Sequence, residues 1–298
     1  MTAGVAEPEA PGSERLADRV LGAVLFVVVF LGCLYWGALP FTLAVAAAAA
    51  IGAAELFNMF ENHGAALPTV AGVGIAGSIA YVVLAHFHPL ESFGYVTAAL
   101  VFLVLAAYIF FLRQERFTRA AALTLFASIL TGFCMSHLVM LRDLAGGSIQ
   151  ATNRGWGLVL FMMALIWLYD VGAWAAGRKF GRRRIAPVLS PNKSLEGTIA
   201  GTVVALGVAV PLRLLVNILV GHEGYPWFSN YVAVAIALLV CLMAPLGDIA
   251  ESMIKRDYGV KDLGSLIPGH GGIMDRLDST LFTAPAVFYL LYYLVITP

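Results

Sequence analysis

The chain has 298 residues, 60% of them hydrophobic and only 12% charged, with zero formal net charge and a mean hydropathy of +0.87. A soluble domain carries roughly 25% charged residues, so a soluble globular fold is excluded and the chain reads as an integral membrane protein. A zero net charge is silent about partners; no nucleic-acid partner is expected, and the information lies in where the charges sit.

Residues 1–18 contain Pro, Gly, Ser and four acids and are expected to form a disordered tail. Their acidic character argues against a signal peptide. Residues 19–298 read as a single transmembrane domain. A membrane helix needs about 20 apolar residues to cross about 30 Å of hydrocarbon. Segments of that kind fall at 20–38, 41–60, 67–86, 93–112, 119–141, 156–177, 197–220, 228–247 and 277–296. The expected fold class is therefore an all-α polytopic membrane protein with about nine spans. The second span is alanine-rich, and Gly and Ala at close spacing elsewhere suit tight helix packing. No internal repeat suggests the paired halves of a secondary transporter. Cys33, Cys134 and Cys241 all lie in apolar segments and read as buried small hydrophobes rather than ligands or disulfide partners.

Sorting the 18 Lys and Arg by loop tests this span assignment. Arg15 and Arg19, Arg113, Arg116 and Arg119, then Arg178 to Arg184 with Lys193, and finally Lys255, Arg256, Lys261 and Arg276 all fall on one side. That makes 15, against Arg142 and Arg154 on the other side and Arg213 inside the seventh span. The expected topology is an N-terminus in the cytoplasm, a C-terminus outside, and both large polar loops facing the cytoplasm at the cell (inner) membrane.

Within the spans, Asp170 is the sharpest polar residue, because a carboxylate at mid-bilayer costs roughly 2.5–3.5 kcal/mol. Glu55 and Asn58 lie one helical turn apart; they are expected to pair with basic residues of an active face or with each other and nearby backbone. Arg213 is expected to snorkel to the interface, with a lipid phosphate as the alternative. His86, His88, His137 and His222 lack partners at ligand spacing and receive no role.

The first polar loop contains Ser190-Pro191-Asn192-Lys193-Ser194-Leu195-Glu196-Gly197. It places one lysine among small hydrogen-bonding residues directly before a helix, a combination suited to phosphate. The second loop is denser. Residues 252–278 hold four basic side chains, four carboxylates, one histidine and five glycines. If the eighth helix continues past Pro245, then Asp248, Ser252 and Lys255 share one face, and Gly259 ends it. His270, Gly271 and Gly272 carry little bulk that would keep backbone N–H groups from an anion. Asp275 opens the next helix, with Asp278 one turn on. Carboxylates on two helices among Lys and Arg suit Mg²⁺ with a polyphosphate.

The fixed positions Ser252, Lys255, Arg256, Lys261, Asp262, Gly264, Ile267, Pro268, His270, Gly271, Gly272, Asp275, Arg276 and Asp278 resemble the signature of phosphatidate cytidylyltransferases, or CDP-diglyceride synthases. Asp170-Val171-Gly172-Ala173-Trp174 and the Ser190–Gly197 segment extend the resemblance over about 155–298, the expected catalytic half. Val171 departs from it, since the family usually has Ser or Thr there. The resemblance implies CTP plus phosphatidic acid giving CDP-diacylglycerol plus pyrophosphate at the bilayer, with Mg²⁺ and room for a second cation, in a monomer or a homo-oligomer. It implies Asp248 and Asp275 as metal ligands. Lys193, Lys255, Arg256 and Arg276 would neutralise phosphates, and Asp170, Ser190, Asn192, Ser252, Lys261, His270, Gly271, Gly272 and Asp278 would complete the substrate site. The residues themselves leave two rivals open. One is a CTP-dependent kinase of a membrane lipid alcohol. The other is an anion or lipid transporter, whose polar residues should instead cluster at mid-membrane.

Overall fold

The computed structural model describes residues 13–63, 68–112, 117–144, 155–187, 189–220, 228–264 and 271–293. Helices follow the apolar segments in order: α1 (Ser13–Trp36), α2 (Ala38–Asn62), α3 (Pro68–Phe87), α4 (Glu91–Ala107), α5 (Phe117–Ser128), α6 (Cys134–Asp143), α7 (Trp156–Phe180), α8 (Leu195–Val220), α9 (Asn230–Asp257) and α10 (Met274–Leu291). A wide π-type turn at Ile129–Phe133 joins α5 to α6 in one continuous rod. Each predicted span thus has a helical counterpart. Seven of these rods are long and apolar enough to cross a membrane. The first and last differ. In α1 the apolar part is the shorter Val24–Trp36, and α10 carries Asp275, Arg276 and Asp278 in its first turns. α1 begins at Ser13, so the last six residues of the expected tail are helical.

The polar segment expected as a loop before the seventh span is instead a two-stranded hairpin. β1 (Arg184–Ala186) pairs antiparallel with β2 (Ser190–Ser194), Arg184 opposite Ser194 and Ala186 opposite Ser190. β2 runs straight into α8, where the Ser194 hydroxyl accepts from the Gly197 N–H at 3.2 Å as an N-cap. The Glu196 carboxylate turns back to accept from the Arg182 and Arg183 N–H groups. The hairpin is thereby tied to the helix end it precedes.

The core is continuous through the bundle and includes Phe41, Phe57, Phe161, Met162, Ile236 and Phe288, all essentially inaccessible. At one end Arg142, fully buried, donates to the Leu34 carbonyl at 3.4 Å and lies 3.8 Å from Asp143, which also meets His86 at 3.1 Å. That group ties the ends of α1, α3 and α6 together, so His86, assigned no role from sequence, has a structural one. Arg213 does not simply snorkel. Its guanidinium donates to the Phe228 carbonyl and, at 2.7 Å, to the Asn230 side chain, fastening α8 to the start of α9.

α9 and α10 form the other end. A side chain at Gly247 would meet the Asp278 carbonyl at 2.4 Å, so the two helices cross with backbones in contact there. α9 continues as expected past Pro245 to Asp257 and ends at Gly259, in the left-handed region at φ +67°. Near that end the Lys255 ammonium lies 2.7 Å from Asp275 and 3.2 Å from Glu251, all three largely buried. Removing one partner of such a set strands a buried charge. We expect Lys255→Met to lower the unfolding free energy in detergent by about 3–5 kcal/mol. Adding Glu251→Gln should recover part of that loss, measured by thermal or denaturant unfolding. Gly247→Leu should force the two helices apart and cost about 1–3 kcal/mol as overpacking.

Candidate active site

Four elements converge at the α9–α10 end: α7 with Asp170, the hairpin with Ser190 to Lys193, α9 with Asp248, and the start of α10. α7 and α8 can approach closely because a side chain at Gly201 would strike the Tyr169 carbonyl at 2.7 Å. That contact brings the hairpin at the head of α8 beside Asp170. Lys193 reaches across to α9, where its ammonium lies 2.6 Å from Asp248 and donates to the Pro245 carbonyl at 3.4 Å.

Two cavities meet here. One, of about 310 Å³, is lined by Ser190, Asn192, Lys193, Asp170 and Asp248 together with Trp174. The other, of about 500 Å³, is lined by Asp170, Asp248, Asp275, Arg276 and Asp278 on its polar side, and by Phe26, Trp167 and Val171 on its apolar side. Asp170 and Asp248 belong to both. Asp170, Asp248 and Asp278 all line the larger cavity, and the Lys193 ammonium lies beside Asp248.

The remaining expected site residues divide by position. Ser252 is buried behind Asp248, its hydroxyl 3.5 Å from that carboxylate. Lys255 faces Glu251 and Asp275 rather than either cavity. Arg256 is exposed and donates to the Val260 carbonyl, and Lys261 is exposed. Asn192 also offers its backbone carbonyl to Arg184. Gly271 sits at φ +81°, and the Gly272 N–H is committed to Asp275 at 2.8 Å. His270 lies outside the described residues. Asp275 accepts from Lys255 with one oxygen and from Gly272 and Leu263 N–H groups with the other. Asp248, by contrast, keeps about a third of its side chain open.

Two residues carry more than their sequence context suggested. Glu251 lies four residues before Lys255 and is buried against it; the i,i+4 spacing was the available signal. Glu55 of α2 reaches the first backbone N–H groups of α10, a contact between distant parts of the chain that no local pattern announces.

The donor chemistry fits Mg²⁺, which takes hard oxygens and needs only one or two protein carboxylates. Among the described residues no three His, Cys, Asp or Glu groups form a cage for an ion, and Mg²⁺ does not require one when phosphate oxygens and water complete its shell.

Residues 17–294 match the model of the Cytidylyltransferase family. A phosphatidate cytidylyltransferase of Bacillus subtilis (strain 168) is 31% identical over 278 residues, 93% of this chain and 97% of the relative. One of Staphylococcus aureus (strain COL) is 31% identical over 275 residues, 92% of this chain and 98% of the relative. One of Haemophilus influenzae is 41% identical over 143 residues, 48% of each chain. A match that spans nearly the whole bundle makes this chain a member of the cytidylyltransferase family.

Proposed function

We propose that the chain is a phosphatidate cytidylyltransferase, joining CTP and phosphatidic acid into CDP-diacylglycerol with release of pyrophosphate. The observation that carries this reading is the meeting of two unlike cavities at Asp170 and Asp248. The smaller is walled by the polar hairpin and suits a nucleotide from water. The larger is half apolar and suits a lipid headgroup entering between α1 and α7. An apolar crevice of about 240 Å³ between α1 and α2, lined by Phe26, Phe30, Ala44, Ala48 and Leu277, shares Phe26 with the larger cavity and offers the acyl chains a path. The distribution of Lys and Arg favours a cytoplasm-facing site at the inner membrane.

In this reading a phosphatidate oxygen attacks the α-phosphorus of CTP. A new P–O bond forms, the bond between the α-phosphorus and the bridging oxygen breaks, and its electrons leave with pyrophosphate. The attacking phosphate is already an anion, so the protein's task is positioning and charge neutralisation rather than base catalysis. Lys193, on the wall of the smaller cavity, would contact the triphosphate. Arg276, on the wall of the larger cavity, would meet the lipid phosphate. Asp248 would hold Mg²⁺, with Asp170 and Asp278 beside it. Asp275, expected to share that role, is the weaker candidate because its oxygens already accept from Lys255 and backbone N–H groups. Bound there, Mg²⁺ would supply neutralisation of the polyphosphate charge as pyrophosphate departs.

Purified protein given CTP, phosphatidate and Mg²⁺ should release pyrophosphate in equal amount to CDP-lipid formed. Release of CDP instead would mark a CTP-dependent kinase, and no turnover at all would overturn the assignment. Asp248→Asn should lower kcat by about 100-fold or more with little change in unfolding temperature; near-wild-type turnover would remove Asp248 from the metal role. Lys193→Met should raise the KM for CTP more than that for phosphatidate, since the hairpin lines only the smaller cavity.

A further inference from the structure

The start of α10 has an unusual way of satisfying its backbone. The first N–H groups of a helix have no intrahelical acceptor. Here the N–H groups of the N-cap Ile273 and of Met274, and that of Gly272 just before them, are taken by two carboxylates. Gly272 donates to Asp275 at 2.8 Å. Ile273 donates to Glu55 Oε1 at 3.0 Å, and Met274 donates to Glu55 Oε2 at 3.1 Å. Glu55 lies 218 residues before Ile273, on α2, and is 7% exposed. Its negative charge faces the positive end of the α10 dipole, where it is favourable.

The surroundings are built to this carboxylate. A side chain on Gly272 would meet Glu55 at 2.3 Å, and one on Gly264 would meet it at 2.4 Å. Both glycines therefore have a reason that has nothing to do with an anion approaching their backbone: Glu55 occupies the space. On the same face of α2, one turn earlier, a side chain on Gly52 would strike Met274 at 2.8 Å. α2 thus packs directly on the first turn of α10. Leu263, next to Gly264, donates to the same Asp275 oxygen as Gly272. Glu55 and Asp275 between them hold both edges of the segment that leads into α10.

We propose that Glu55 is a positioning residue of the active site. It touches neither cavity. It fixes the height and rotation of the first turn of α10, and so the places of Arg276 and Asp278 on the wall of the larger cavity, against Asp170 and Asp248 from α7 and α9. The N-terminal half of the bundle is then part of the catalytic apparatus through one side chain. The claim rests on the cytidylyltransferase reading for its kinetic consequence, but its structural content can be read without turnover.

The test is Glu55→Gln in the full-length protein. The carboxamide keeps one acceptor oxygen and puts an NH₂ where the second was, so one N–H of the pair loses its partner. Three quantities are measured. Hydrogen exchange of a peptide covering residues 271–280 should accelerate at the first amides of α10 while the rest of the bundle keeps its protection. The kcat for CDP-lipid formation should fall about 30-fold, in line with a misplacement on the ångström scale, with both KM values within about twofold. The unfolding temperature should stay within about 3 °C. A cycle with Gly272→Ala adds a readout that bulk destabilisation does not move. Gly272→Ala should impair kcat in the wild type, and much less in a Glu55→Ala background, where the space is open. Unchanged kcat despite faster exchange would overturn the proposal. So would a kcat loss that merely tracks loss of folded protein, or independent effects in the cycle. If the wild-type protein makes no CDP-lipid, the functional reading falls, and the exchange measurement decides by itself whether Glu55 holds α10.

Discussion

One ammonium between two buried carboxylates organises the polar end of this bundle. Lys255 lies within salt-bridge distance of Glu251 on its own helix and of Asp275 on the next. Charges this deep are tolerated only in combination, so α9 and α10 must be held at one separation and one rotation. The helices can meet that demand because Gly247 lets their backbones touch. Asp248, one residue on, is then presented to Asp278 and Asp170, while Asp275 is drawn back toward Lys255 and the backbone N–H groups around it. The division of labour among the acids follows. Glu251 and Asp275 are tied to Lys255, Asp275 also lining the larger cavity, while Asp248 is paired with Lys193.

Most of the helical architecture could be read from hydropathy, because each rod must bury its own backbone hydrogen bonds in an apolar medium and a long apolar segment has few other ways to do so. The continuation of α9 through Asp248, Ser252 and Lys255 could also be read, from spacing alone, and so could its end at Gly259. The hairpin could not. Its strands are three and five residues long, rich in Arg, Ser, Pro and Asn, and they owe their form to the cap of α8 and to Glu196 rather than to any alternating pattern. Glu55 was visible as an anomalous acid in a span, but its partners are backbone groups far along the chain, and backbone groups leave no mark in a sequence. Glu251 was overshadowed by the neighbouring face of α9.

The candidate site was similarly half legible. The polar stretches named the six charged side chains that line the two cavities, because charged residues in so apolar a chain have few other places to be. What they could not show was the partners of each acid, so the expectation of Asp248 and Asp275 as a metal-binding pair was made without sight of Lys255 beside Asp275. Asp275 and Asp278 look equivalent as letters one turn apart; the Lys255 ammonium and the Gly272 and Leu263 N–H groups, all on Asp275, distinguish them. The glycines of the second loop look like a cradle for an anion; Gly264 and Gly272 turn out to be shaped around Glu55.

The larger cavity is bounded by residues of α1 and α7 that face the surroundings of the bundle, Val171 among them, 62% exposed. A substrate reaching the carboxylates by that route never passes through bulk water. Its effective concentration is a mole fraction in a two-dimensional film, diluted by every other lipid present, whereas the nucleotide is counted in moles per litre. Under the proposed function, turnover would therefore respond to membrane composition as directly as to solute levels.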